Sequence, residues 1–99
     1  MDEQYQISQY SKNQAMRLKV EIRPSTRKNK KIDVYRDGEY LVSIGDTRYF
    51  DYPYYLKAER DGVVPKGTAN RNRYLYHKRH QKDSQVPESA GFYAAQILW

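Results

Sequence analysis

Ninety-nine residues suffice for one domain with a modest core and leave no room for a deep cleft with a separate cofactor layer. Leu, Ile, Val and Phe number 18, near the compositional edge of disorder, but 11 Tyr and one Trp restore apolar area, so a small aromatic core is expected. A formal charge of +6 points to anionic partners, the lack of Cys excludes disulfides and thiolate zinc sites, and no run reaches the ~20 apolar residues of a membrane span.

The opening MDEQYQISQYSKNQ is poor in aliphatics and rich in Gln, Ser, Asn and Tyr, too polar to order itself as a free segment. It reads as a flexible arm over residues 1–15, followed by a single small α+β domain over 16–99. RLKVEIR alternates strictly, placing Leu18, Val20 and Ile22 on one face of a half-buried strand that Pro24 ends. PSTRKNKK is a basic loop before KKIDVYRDGEYLVSIG, whose Asp37-Gly38 signals a hairpin. Parity selects the turn. A two-residue loop leaves Val42 and Ile44 on the face opposite Ile32 and Val34, whereas a three-residue loop with Gly38 as a bulge pairs Val34 with Tyr40 and Ile32 with Val42. The second arrangement keeps one face apolar and predicts a meander with one wet, basic side.

Aromatic density peaks in DTRYFDYPYYLKAERDG, where Pro53 excludes a central strand and Asp51 can cap a short helix from about Pro53 to Arg60. Thr68 is placed to cap a helix through ANRNRYLYHKRHQK, in which Leu75 is the one aliphatic. Pro87 and Glu88 open a last helix that is apolar on nearly every side and so must be buried all round. Phe92, Ile97, Leu98 and Trp99 either close the core or dock a neighbouring subunit. The expected fold is α+β: a small three-stranded antiparallel meander packed by two or three short helices, with an extended N-terminal arm.

Two basic stretches stand out. The first, residues 17–36, carries Arg17, Lys19, Arg23, Arg27, Lys28, Lys30, Lys31 and Arg36 against only Glu21 and Asp33; the second holds Lys66, Arg71, Arg73, Lys78, Arg79 and Lys82, with Tyr74 and Tyr76 among them, inside an acid-free segment from 62 to 82. Such a mixture suits phosphates with Tyr76 stacking on a base, an acidic protein surface, or a solvated face. His77 and His80 share a helix face without further ligands, so no metal site is expected. Asp46 and Asp51 are accounted for by turn and cap chemistry, and no nucleophile set, phosphate-cradling loop or dinucleotide fingerprint is present. The expectation is a non-enzyme without cofactor.

The order IGDTRYFDY, RYLYHKRHQKD, then a small-small-Gly-aromatic stretch ending in Leu-Trp resembles a family of short proteins of large DNA viruses of algae and of tailed phages. Gly45, Tyr49, Asp51, Tyr52, Tyr76, Arg79, His80, Ala90, Gly91, Phe92, Leu98 and Trp99 carry the resemblance over residues 40 to 99. Ile44, Ser89 and Tyr93 depart from it, standing where the family has Phe, Thr and Trp. The resemblance implies viral origin and no particular reaction. The expected function is accordingly a structural or assembly subunit of the virion, present in the host cytoplasm before assembly. Tyr5 and Tyr10 of the arm, with the C-terminal helix, would hold shell or connector proteins or further copies of the chain, and no membrane. The alternative is a small basic protein contacting DNA or RNA through Arg27–Lys31 and the helix Arg71–Lys82.

Overall fold

The computed structural model describes residues 4–99. Helix α1 (Gln9–Leu18) precedes strands β1 (Glu21–Pro24), β2 (Ile32–Arg36) and β3 (Glu39–Ile44); helices α2 (Tyr52–Arg60), α3 (Thr68–Arg79), α4 (Gln81–Ser84) and α5 (Ala90–Ile97) follow. The fold is α+β, with one antiparallel sheet in the order β1-β2-β3. Among the described residues the helices number five rather than two or three, α1 and the single-turn α4 being the additions.

Helix α1 corrects the expectation of an arm to residue 15 and a strand from residue 16. Ser8 caps it, accepting a hydrogen bond from the Ser11 N–H at 3.1 Å. The Ser11 hydroxyl donates to the Ile97 carbonyl at 2.8 Å, and the Gln14 amide to the Gln96 carbonyl at 2.7 Å. A segment too polar to fold alone is thus ordered by α5, which offers carbonyls to it and covers Ser11 and Ala15. Residues 4–7 lie in no helix or strand, and residues 1–3 of the expected arm are outside the described residues.

The end of α1 explains the misleading alternation. Lys19 is left-handed, with φ 59°, its N–H donates to the Met16 carbonyl, and the Val20 N–H donates to that of Ala15, the paired bonds of a Schellman cap. This reversal delivers Leu18, Val20 and Ile22 to the same core, as a strand would have done.

The hairpin is corrected as well. Its loop has two residues, Asp37 and Gly38, both at positive φ (52° and 82°), as a type I′ turn requires. Tyr35 pairs with Tyr40, yet Val34 pairs with Val42 and Ile32 with Ile44, so Leu41 is the extra residue of a bulge. Parity did demand one additional residue; it sits within β3 rather than in the turn.

The result is one apolar sheet face. Ile32, Val34 and Ile44 gather with Ala15 and Val20 from the N-terminal side and with Tyr93, Ile97 and Leu98 from the C-terminal side. Ser89 caps α5 by accepting from the Phe92 N–H, so the helix begins at Ala90 and not at Pro87 or Glu88. Gly91 permits α5 to lie against α4, since a β-carbon there would stand 2.7 Å from the Asp83 carbonyl oxygen. On the outer face the guanidinium groups of Arg23 and Arg27 cover the rings of Tyr35 and Tyr40, and Tyr40, Ser43 and Asp33 form a hydrogen-bonded chain.

Candidate functional site

The second half of the chain is anchored by one buried carboxylate. Asp51 caps α2 by accepting from the Tyr54 N–H at 3.0 Å, while its other oxygen accepts from Lys31 Nζ at 2.8 Å and from the Tyr5 hydroxyl at 2.6 Å. Lys31 is 4% exposed and Asp51 2%, so this lysine is neutralised inside the protein and is corrected from phosphate contact to internal counter-ion. Burial, with the Asp51 charge and the hydrogen bond to it, pushes the Tyr5 hydroxyl well above the usual phenol range.

Helix α3 is held by its predecessor. Gly67, not Thr68, occupies the cap position, and the Thr68 hydroxyl donates to the Pro65 carbonyl instead. The missing acceptor comes from α2: the two carboxylate oxygens of Glu59 accept from the Gly67 and Ala69 N–H groups at 3.1 and 2.6 Å. Trp99 supplies the other attachment. Its ring stacks on Tyr76 of α3, with centroids 4.6 Å apart and planes 8° apart, and lies 6.3 Å from Tyr55 of α2. Its carbonyl oxygen accepts from Arg73 Nε at 2.6 Å. Tyr76 also stacks on His80, with centroids 4.2 Å apart, so it is corrected from a free stacking ring to a member of an internal row.

Between the Gly45–Phe50 turn on one side and α3 and α5 on the other lies a groove of about 710 Å³. Lys30, Arg48, Tyr49 and Phe50 line the first side; Tyr76, Arg79 and His80 line the second; Ala90, Gly91 and Ala94 keep it open by their small size. Arg48 grips Asp46 bidentately, Nε to Oδ1 at 3.0 Å and Nη2 to Oδ2 at 2.7 Å. Those bonds, with one from the Arg48 N–H, hold the Asp46 carboxyl down to about 2. His80 stands 3.4 Å from Asp83. Lys30 and Arg79 line the groove and form no salt bridge among the described residues. Tyr49 and Phe50 are 69% and 56% exposed, and Phe50 lies parallel on Tyr54 with centroids 3.9 Å apart.

The expected binding residues are therefore dispersed. Lys30 and Arg79 meet in the groove; Arg27 and Lys28 are exposed on the neighbouring loop; Arg71, Arg73, Lys78 and Lys82 are exposed outside the groove. Of the residues expected either to meet a partner or to close the core, Ile97 and Leu98 are fully buried, Tyr5 and Phe92 pack against the core, and Tyr10 meets Tyr52 edge-on. Reading charge runs missed Arg48 and Phe50. Their signal was DTRYF, an Arg and two rings crowded into a turn that no core position requires. Among the described residues no group of three or more His, Asp or Glu side chains is placed to hold a metal, and no helix is long and apolar enough to cross a membrane.

The model of a family of unknown function, DUF5754, matches residues 20–54. That stretch contains the whole sheet, Lys30, Arg48, the rings of Tyr49 and Phe50, and the Asp51 cap, and it ends before α3. No curated protein and no solved structure matches the chain.

Proposed function

We propose that the protein is a non-enzymatic binding module for single-stranded nucleic acid, taking phosphates at Lys30 and Arg79 and a base on the ring of Phe50 or Tyr49. The observation that carries this reading is the meeting, in one groove, of a cation from each basic stretch with exposed rings beside them. A single strand offers both groups that such a groove recognises, a charged backbone and unstacked π-faces. Counterion release at the cations and stacking on the rings supply affinity without base-edge hydrogen bonds, so sequence preference should be weak. A duplex hides its π-faces and retains only the phosphate contribution.

The assembly reading requires Tyr5 and Tyr10 to be free for shell or connector proteins. Both engage the protein's own α2 region, Tyr5 through Asp51 and Tyr10 against Tyr52. It therefore has the weaker support.

The test is fluorescence anisotropy with a labelled oligothymidylate at about 50 mM salt, where counterion release favours binding. Affinity should fall with salt on a log-log slope of roughly −0.7 per phosphate contact, and Lys30→Glu with Arg79→Glu should remove about 1.4 from that slope. Phe50→Ala should weaken binding by about 1–3 kcal/mol. Absence of salt-dependent binding by the wild type, or equal binding by the double variant, removes the reading.

A further inference from the structure

We infer that the groove is one end of a longer channel, which leads an extended single strand past Lys30 and beneath the basic loop; the inference rests on the nucleic-acid reading of the groove. A second hollow of about 670 Å³ lies under residues 25–30, lined by Arg27, Lys28 and Lys30 together with Tyr5 and Thr47. Lys30 lines both spaces and so stands at their junction. A smaller hollow of about 430 Å³ adjoins both, sharing Tyr49 and Phe50 with the groove and Tyr5 and Thr47 with the loop hollow. The three spaces together form an arc around the turn that carries the exposed rings.

Charge distinguishes the two ends of this arc. The groove contains the carboxylates of Asp46 and Asp83, whereas among the described residues no Asp or Glu lines the loop hollow. The end under the loop therefore offers phosphate contacts alone, whereas the groove, with Phe50 and Tyr49 beside Lys30 and Arg79, takes a base together with its phosphate and so holds the shortest strands. Geometry there is set in advance by the backbone. The Thr47 N–H donates to the Asn29 carbonyl at 3.1 Å, the Lys30 N–H to that of Arg27 at 3.2 Å, and the Lys31 N–H to that of Ile44 at 3.1 Å. A loop tied to the turn in this way loses little freedom when it binds, which favours affinity. A mononucleotide occupies one compartment and leaves Arg27 and Lys28 without a phosphate; several linked nucleotides reach both ends.

Length dependence tests the channel. Oligothymidylates from about two to about sixteen nucleotides, spanning the site sizes of small single-strand binders, are titrated into wild-type protein, the Arg27→Glu/Lys28→Glu pair and Arg79→Glu. Wild-type affinity should rise at least about tenfold between the dinucleotide and about six nucleotides, then level off. The loop pair should weaken the longer strands about tenfold or more and spare the dinucleotide, while Arg79→Glu weakens every length. Affinity that is flat beyond the dinucleotide, or a loop pair that weakens all lengths alike, overturns the channel and leaves the groove standing. No binding at any length overturns both, as does tighter binding of a polyglutamate peptide than of any oligonucleotide, which would assign the arc to an acidic protein.

Discussion

In the half built from the sheet, α1 and α5, eight hydrophobic side chains are buried together, five of them Ile, Leu or Val on strands or on the C-terminal segment. In the α2–α3 half the fully buried residues are Ala58, Ala69 and the capping Asp51, and the attachments are stacked rings, a carboxylate shared across a hairpin and the Trp99 carbonyl. Aliphatic burial is non-directional and grows with area, so the first half accounts for most of the stability. Aromatic contacts contribute about 0.5–1.5 kcal/mol beyond their area and leave ring edges and cations in water. The difference teaches where function can reside: the groove lies at the seam, walled by the Gly45–Phe50 turn and α5 of the stable half and by α3 of the half that is only lightly attached.

The largest test of this contrast is Leu98→Ala, which should cost about 2–5 kcal/mol in urea unfolding because the residue is fully buried among aliphatics. Tyr74→Ala, on the exposed side of α3, should change stability by less than about 0.5 kcal/mol. Equal losses at the two positions would erase the distinction between halves. Next in size is Lys31→Met, for which a loss of about 3 kcal/mol is expected, since the buried Asp51 carboxyl would lose its cationic partner and be left with only the Tyr5 hydroxyl and the Tyr54 N–H to meet it. Lys30→Met, one residue away and exposed, should leave the melting temperature nearly unchanged while weakening oligonucleotide binding.

Glu59→Ala sharpens the comparison further. It should cost about 1 kcal/mol, the typical value of a lost cap, and hydrogen exchange should accelerate at Gly67 and Ala69 without change in β1–β3. Faster exchange across the sheet would mean that the two halves unfold as one unit.

The smallest effect is a change in the pH dependence of stability that is confined to alkaline pH. The Tyr5 hydroxyl has its folded value raised above the ordinary 10.0, chiefly by burial and then by the Asp51 charge, so its contribution is complete below about pH 10 and is lost as pH rises beyond that value. Tyr5→Phe should flatten the alkaline limb of the stability curve. An unchanged limb would count against the bond from Tyr5 to Asp51.

Several features were legible because they depend on neighbours in the chain. Asp51 three residues before the Tyr54 N–H is a cap in any context, Asp37-Gly38 reverses the chain wherever it stands, and a tail as apolar as AAQILW must leave water. Others were illegible for a physical reason. Nothing within residues 9–18 announces that Ser11 and Gln14 will find carbonyls on α5, more than eighty positions away, so a helix stabilised from outside looked like an arm. Leu41 as a bulge was equally hidden, because parity calls for an extra residue without saying where the strand will accept it.

The sequence by itself determined the class of the fold, the single apolar sheet face and the excess of positive charge, since these follow from periodicity and composition. Only the tertiary structure decided what each charge is for. Lys30 and Lys31 are adjacent and chemically identical, yet the fold brings Asp51 to one and brings Arg79 and two exposed rings around the same groove as the other. A buried ammonium needs a partner to offset its lost hydration, and an exposed one keeps its charge for a ligand; which fate applies is set by groups about twenty and fifty residues distant, which no local pattern records.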